Sequence, residues 1–197
     1  MKEDVLRIFE ESARVKQKFA AENFEAIEEA VEIVASCFTR GNKVLLFGNG
    51  GSATDASHIA GEFVNRFLLE RPGLPAIALN TDIAVLTSIS NDYDYSEIFV
   101  KQIKALGCEG DVAIGISTSG NSPNVVKAIS AAKDMGIKTI AFTGGKSKGG
   151  KLATVAELVF LVPSGDTPRV QETHITLGHA ICQLVDERLF GSARGPK

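Results

Sequence analysis

The sequence has 197 residues, of which 44% are hydrophobic and 23% are charged, and its formal net charge at pH 7 is −3. These values are typical of one globular domain that is long enough to bury a core. No cluster of Lys and Arg marks a surface for nucleic acid or for an anionic membrane, so we expect neither partner. No run of about 18 apolar residues occurs, so no membrane-spanning helix is expected either.

Two further features predict a cytoplasmic location. The start of the sequence, MKEDVLRIFEESARVKQK, is charged and amphipathic, unlike a secretory signal peptide. The three cysteines, Cys37, Cys108 and Cys182, are odd in number and far apart, which is typical of free, buried thiols in a reducing compartment.

The first forty residues are predicted to form a pair of helices. Residues 5–19 are one amphipathic stretch, and a second apolar stripe steps by three and four residues from Phe24 to Phe38. Gly41 then stands where a helix is expected to end. We expect this N-terminal helical pair (1–40) to pack on the remaining domain (41–197) and in an oligomer, with the whole chain forming one structural unit.

Strands and helices are predicted to alternate from residue 43 onward. The predicted strands are 43–47, 76–79, 111–117, 138–143 and 157–163. The predicted helices are 52–67, 95–106, 123–135 and, near the end, 168–190. Such alternation joins parallel strands through helical crossovers, which predicts a three-layer α/β fold.

The first strand runs into a glycine-rich loop that opens a helix, FGNGGSATDASHIAGE (47–62). A strand, a glycine turn and a helix N-terminus bind anions well, because backbone N–H groups point at the ligand. The loop also fits the dinucleotide fingerprint G-x-G-x-x-G/A, which needs an acidic residue at the end of the next strand. That strand ends at Leu79 and Asn80, so a dinucleotide-dependent oxidoreductase is the weakest interpretation.

The third predicted strand ends in a loop rich in hydroxyl groups, ISTSGNSP (116–123). One serine there would be explained by a turn or a helix cap, but four hydroxyls within six residues favour a phosphate site. These hydroxyls belong to Ser117, Thr118, Ser119 and Ser122. Ligands of open α/β sheets bind outside the carboxyl ends of the strands, so this loop and the glycine-rich loop can face one ligand.

Three further groups of polar residues are candidates for the site. Asn91 and Asp92 are predicted to lie in a loop after a short helix, where a turn is the alternative to contact with a ligand hydroxyl. His58 and Glu62 are four residues apart and share one helix face, as half a metal site or as an acid–base pair. A structural histidine beside a surface carboxylate is the alternative. The last helix carries Gln171, Glu172, His174 and His179. Its two histidines point about 140° apart, so spacing alone leaves open which one faces the site.

Five segments together resemble the sugar isomerase (SIS) domain family: GNGGSATDASHIAGEFVNRF, RPGLPAIAL, SND, GDVAIGISTSGNSPNVVKAI and RVQETHITLGHAICQLVDE. The resemblance covers nearly the whole chain. It implies a flavodoxin-like, parallel five-stranded sheet in a homotetramer whose sites lie between subunits. It also implies ketose–aldose isomerisation of sedoheptulose 7-phosphate to D-glycero-D-manno-heptose 7-phosphate, a heptose precursor of surface polysaccharide such as lipopolysaccharide.

The resemblance also implies roles for individual residues. The substrate-binding residues would be Asn49, Gly50, Gly51, Glu62, Asn91, Asp92, Ser117, Thr118, Ser119, Ser122 and Gln171. Glu62 and His179 would be catalytic. Zinc-containing members have ligands that correspond to His58, Glu62, Gln171 and His179, so one zinc ion per subunit is expected. Pro168 departs from the family, because some members carry an aspartate there.

Ketose–aldose isomerisation needs a base that moves a proton between C1 and C2, and an acid that serves the oxygens. Glu62 would be the base and His179 the acid, either as simple proton carriers or with metal-assisted polarisation. The alternative function is a non-catalytic SIS-domain tetramer that binds a replication initiator or senses a sugar phosphate. Retention of both Glu62 and His179 favours the enzyme.

Overall fold

A computed structural model describes residues 1–191 as a central sheet with helices on both faces. The strands are β1 (Val44–Gly48), β2 (Ala76–Ala78), β3 (Val112–Ser117), β4 (Lys138–Gly144) and β5 (Leu158–Val162). The α-helices are α1 (Lys2–Thr39), α2 (Gly51–Val64), α3 (Ile83–Asp92), α4 (Ile98–Leu106), α5 (Pro123–Asp134), α6 (Leu152–Val155) and α7 (Thr167–Phe190). Short 3-10 turns occupy Tyr95–Glu97 and Gly145–Ser147.

The five strands are all parallel and lie in the order β2-β1-β3-β4-β5. This arrangement confirms the predicted three-layer, flavodoxin-like α/β fold. The chain leaves β1 toward one edge of the sheet and leaves β3 toward the other. Such a switch point opens a crevice at the carboxyl ends of the two strands, where open α/β sheets bind their ligands.

The sheet divides the interior into two apolar layers, because successive strand residues point to opposite faces. Leu46 and Phe142 pack with α1, α2 and α7 on one face. Phe47 packs with Phe99 of α4 and Ile129 of α5 on the other face. Burial on both faces explains why β1 and β3 are almost continuously hydrophobic in the sequence.

The predicted N-terminal helical pair is wrong, since α1 is one continuous helix of 38 residues. The apolar pattern is interrupted at 20–23, but this stretch contains no Gly or Pro that would end a helix. Asn23 also donates a hydrogen bond back to the Phe19 carbonyl at 2.8 Å. The second half of α1 packs on α7 and the sheet, whereas Val5 and Phe9 in the first half are exposed.

The expectations drawn from composition are met in part. Cys37 and Cys182 are buried free thiols as predicted, but Cys108 is exposed. It follows α4 in a turn at the amino edge of the sheet, where its sulfur lies 3.5 Å from the Asp111 carboxylate. Within residues 1–191, no helix is both long and apolar enough to cross a membrane.

Candidate active site

The glycine-rich loop after β1 and the hydroxyl-rich loop after β3 lie side by side. Gly48 and Ile116, near the ends of the two strands, are paired in register. A Cβ atom at Gly48 would lie only 2.8 Å from the Ile116 carbonyl oxygen, so this close approach requires glycine. Gly50 precedes α2 with a φ of 56°, and Gly51 is the first residue of that helix. The fold therefore places both candidate anion-binding loops at one crevice.

Side-chain hydrogen bonds join the two loops. Asn49 and Asn124 exchange two amide hydrogen bonds, each of 2.9 Å, and Asn124 is almost fully buried. The Tyr95 hydroxyl donates to the Asn49 Oδ1 atom at 3.0 Å. Sequence reasoning missed Asn124 because a polar residue at a helix start is usually a cap. It missed Tyr95 because this residue is 46 residues away from Asn49 in the sequence.

The hydroxyl-rich loop is held in a defined shape. The Ser117 and Ser122 hydroxyl oxygens lie 3.0 Å apart, and the Ser119 hydroxyl accepts the Asn121 N–H at 3.2 Å. Ser122 directly precedes α5, but within the described residues its side chain makes no capping hydrogen bond. Capping therefore does not account for Ser122, which leaves its hydroxyl at the positive end of a helix dipole.

Residues 149–152 pack against this loop and stabilise it. Gly120 has a φ of 65° and packs directly against the Gly149 backbone. The Leu152 N–H donates to the Gly120 carbonyl at 2.8 Å, and the Lys151 N–H donates to the Asn121 side chain at 3.1 Å. These contacts fix the backbone of the loop, so its donors need little reorganisation to bind an anion.

Three of the predicted site residues meet in one cluster. The Nε2 atom of His58 lies 3.0 Å from Oε1 of Glu62 and 3.4 Å from Nε2 of His179. The Phe67 ring stacks on His179, with ring centroids 5.5 Å apart. The Glu62 side chain is only 24% exposed, so its carboxylate is largely enclosed, and the His58 Nε2 atom contacts both Glu62 and His179.

The packing of α7 on α2 brings these side chains together. Gly178 of α7 lies directly against Ile59 of α2, where any Cβ would collide with the isoleucine. Further toward the helix starts, a Cβ at Gly51 would collide with the Gln171 amide. These contacts show that α2 and α7 run side by side in the same direction. Gln171 therefore lies beside the glycine-rich loop.

The other histidine of α7 faces the sheet. His174 is fully buried, and its Nε2 atom lies 3.2 Å from the Thr143 carbonyl oxygen. Burial lowers the pKa of His174 to about 4. Glu172 is occupied by an ion pair with Arg169 at 2.8 Å. The structure thus brings His179, and not His174, to His58 and Glu62.

The three clustered residues fit a zinc ion. His58, Glu62 and His179 offer two imidazole nitrogens and one carboxylate oxygen, all within 4.8 Å of one another. Ligand atoms on a tetrahedral zinc with bonds of about 2.0–2.2 Å are about 3.3–3.6 Å apart. In addition, two imidazole nitrogens 3.4 Å apart need a proton or a cation between them, since their lone pairs repel.

Asp55 is a further acidic group that sequence reasoning missed. It lies on α2 one turn before His58, half-buried, and its Oδ2 atom has no hydrogen-bond partner among the described residues. Burial raises the pKa of Asp55 to about 6, against a smaller lowering by His58. Its spacing, three residues before His58 and seven before Glu62, was the signal that could have identified it.

Asn91 and Asp92 are the last two residues of α3, and not part of a loop as the sequence suggested. Both are exposed, and the Asn91 amide donates to the Asp92 carboxylate at 2.9 Å. The segment that follows reaches Asn49 through Tyr95. Their contact with a ligand stays a prediction.

Comparison with known proteins agrees with this geometry. The SIS domain family model matches residues 8–144. The phosphoheptose isomerase of Thermodesulfovibrio yellowstonii is 63% identical over 190 residues, covering 96% of this chain and 94% of that protein. The enzyme of the same name from Aquifex aeolicus is 54% identical, with 95% and 97% covered.

Solved structures give the same result. A phosphoheptose isomerase from Neisseria gonorrhoeae superposes with a TM-score of 0.88 at 42% identity, covering 94% of this chain and 98% of that one. A phosphoheptose isomerase from Francisella tularensis superposes with a TM-score of 0.89 at 39% identity, with 94% and 97% covered. The chain belongs to the SIS domain family and, within it, to the phosphoheptose isomerases.

Proposed function

We propose that the chain converts sedoheptulose 7-phosphate, a ketose, into the aldose D-glycero-D-manno-heptose 7-phosphate. The observation that carries this proposal is the contact of Glu62 with His58, with His179 alongside. A carboxylate and an imidazole held close together by α2 and α7 are the acid–base groups that such an isomerisation needs. Membership in the phosphoheptose isomerases supports the choice of a seven-carbon sugar phosphate.

In this mechanism Glu62 moves the carbon-bound proton. Its carboxylate takes a proton from C1 of the ketose, which gives an enediolate, and returns the proton to C2. His179 serves the oxygens, giving a proton to O2 and taking one from O1. The half-buried setting of Glu62 limits the access of water to the enediolate.

The substrate phosphate binds at the start of α5 in this proposal. Hydroxyl groups and backbone N–H groups hold it, with the hydroxyls supplied by Ser117, Thr118, Ser119 and Ser122. The α5 dipole adds a favourable potential without a cationic side chain. Asn49, Gly50, Gly51, Asn91 and Asp92 would contact the sugar hydroxyls.

In a metal-assisted version of this mechanism, His58, Glu62 and His179 would hold one zinc ion per subunit, and Glu62 and His179 would then not both be free as proton carriers. Gln171 lies eight residues, or about 12 Å, from His179 along α7, so as the fourth ligand it would have to come from a neighbouring subunit. When bound, the ion would polarise the oxygens of the substrate and stabilise the negative charge of the enediolate. The fit of three donor atoms to a zinc site supports this part of the proposal. Activity measured after chelation and after zinc is restored distinguishes metal assistance from unassisted proton transfer.

We also propose a cytoplasmic homotetramer with sites completed between subunits, supplying heptose for surface polysaccharide. Apolar side chains on the first half of α1 support association, because Phe9 is 72% exposed and Leu6 is 52% exposed. Light scattering should give four times the chain mass. A monomer at working concentration would contradict this part of the proposal.

The direct test mixes purified protein with sedoheptulose 7-phosphate and follows the aldose product by NMR. The wild type should form product, and a Glu62→Gln variant should be strongly impaired. Absence of product with and without added zinc would reject the isomerase. The non-catalytic binding function would then be the better explanation.

A further inference from the structure

A buried ion pair lies behind the site and involves neither a proposed ligand nor a proposed catalytic side chain. Nε of Arg71 lies 2.7 Å from Oδ1 of Asp186, and both side chains are 1% exposed. Arg71 comes from the loop after α2, whereas Asp186 belongs to α7. The pair therefore ties together the two elements that carry Glu62 and His179.

The rest of the Arg71 guanidinium caps the end of α2. One terminal nitrogen donates to the Glu62 carbonyl at 2.9 Å, and the other donates to the Phe63 carbonyl at 2.8 Å. The last carbonyls of a helix have no partner within the helix. Because α2 ends at Val64, Glu62 lies in this last turn, and Arg71 supplies the missing donor to its backbone.

Asp186 connects this cap to the other half of the site. It follows His179 by seven residues, which is about two helical turns, so both side chains project from nearly the same face of α7. The chain of contacts runs from the Glu62 backbone through Arg71 to Asp186 and along α7 to His179. Helix α7 is rigid over two turns, so this link fixes the separation of the two proton carriers.

We infer that Arg71 and Asp186 are positioning residues for the isomerisation, holding the Glu62 carboxylate at its working distance from His179. The inference rests on the proposed function. It also explains why an Arg–carboxylate pair occupies a buried place, where an apolar pair of similar size is often equally stable.

The first test is Arg71→Lys, which keeps the charge but loses the planar fork that reaches two carbonyls and a carboxylate together. We expect kcat to fall by about 10- to 100-fold, as for a small misplacement of a reacting group. The KM for sedoheptulose 7-phosphate should stay within about threefold, because the hydroxyl-rich loop is untouched. Arg188→Lys is the matched control, since Arg188 lies on α7, as Asp186 does, and forms an exposed ion pair with Glu32 of α1. The control should keep the wild-type kcat.

A second variant separates positioning from folding. The double replacement Arg71→Met with Asp186→Leu removes both buried charges together and should fold, yet it should keep the low kcat. All rates are divided by the folded fraction from circular dichroism. A variant that is only less stable therefore returns the wild-type kcat, and that result from either variant would overturn the inference.

Hydrogen exchange gives a readout that does not depend on the reaction. The Asn65 N–H donates to the Gly61 carbonyl at 3.0 Å in the capped turn. We expect this amide to exchange at least about tenfold faster in Arg71→Lys and unchanged in Arg188→Lys. Unchanged exchange in both would refute the cap, whereas a wild type without isomerase activity would refute only the proposed function.

Discussion

Helix α7 places two histidines, five residues apart, in opposite environments. His174 is fully buried against the sheet, and its Nε2–H donates to the Thr143 carbonyl, which leaves Nδ1 without a partner among the described residues. His179 is partly exposed beside His58 and Glu62. The same residue type on one helix thus serves the core in one place and the candidate site in the other, and tertiary packing decides which.

The largest expected effect comes from replacing residues of the candidate site. Glu62→Gln and His179→Ala should each lower kcat by about 10²-fold or more, the usual contribution of general acid–base catalysis. Steady-state kinetics with sedoheptulose 7-phosphate measures the loss. His174→Gln is the matched control and should keep kcat within about threefold per folded molecule. Equal losses of kcat in His174→Gln and His179→Ala would contradict the different roles assigned to the two histidines.

The next effect concerns the buried side. The folded-state pKa of His174 is about 4, below its ordinary value of 6.5, because protonation of Nδ1 would bury a charge. As the pH falls from 6.5 to 4, the unfolded chain therefore binds a proton that the folded chain does not. The free energy of unfolding should fall by up to about 3 kcal/mol over this range.

Urea unfolding at several pH values measures that loss. His174→Gln keeps an amide donor for Thr143 but does not titrate, so its stability should depend less on pH than that of the wild type. Other groups titrate equally in both proteins, and the difference between the two curves isolates His174. Parallel curves would show that His174 is not the group responsible.

A change that touches neither histidine should affect binding rather than chemistry. Replacing Ser119 and Ser122 together by Ala removes two donors at the start of α5 and should raise KM by about tenfold or more. The melting temperature should stay close to that of the wild type. Ser88→Ala with Ser130→Ala is a control pair of exposed serines outside the loop. Unchanged substrate affinity would reduce the loop to a structural turn.

The smallest effects compare the two hydrogen-bond partners of Asn49, of which Asn124 is buried and Tyr95 is exposed. Asn124→Ala removes the buried amide that holds Asn49 and should raise KM by about two- to tenfold, the value of one or two net hydrogen bonds. Tyr95→Phe removes only an exposed hydroxyl and should change KM by less than about twofold. A larger effect of Tyr95→Phe would reverse the ranking by burial.

Much of the fold could be predicted, because strands that are buried on both faces have continuous runs of apolar residues in the sequence. Residues 43–47 and 111–117 were recognised in this way, and the parallel order follows from the alternation with helices. The continuity of α1 could not be predicted in this way. The apolar stripe is interrupted at 20–23, whereas the helical backbone continues through these residues. Hydrophobic pattern reports packing partners, and helix continuity depends on helix breakers.

The site shows the same limit. His58 and Glu62 were paired by their spacing on one helix, which is a local signal. The angle between His174 and His179 was also correct, but the face that α7 turns toward α2 depends on contacts such as that of Gly178 with Ile59. Arg71 and Asp186 are 115 residues apart, so no local pattern could join them.

Gly178 is the residue immediately before His179 on α7. The hydrogen atom on its α-carbon occupies the space against Ile59 that a methyl group would fill. The distance between packed helices depends on the side chains at their contact. Gly178 therefore sets the spacing of α2 and α7 at the site, although it has no reactive group of its own. To make room for a bulkier sugar, an engineer would first replace Gly178 and leave His58 and His179 in place.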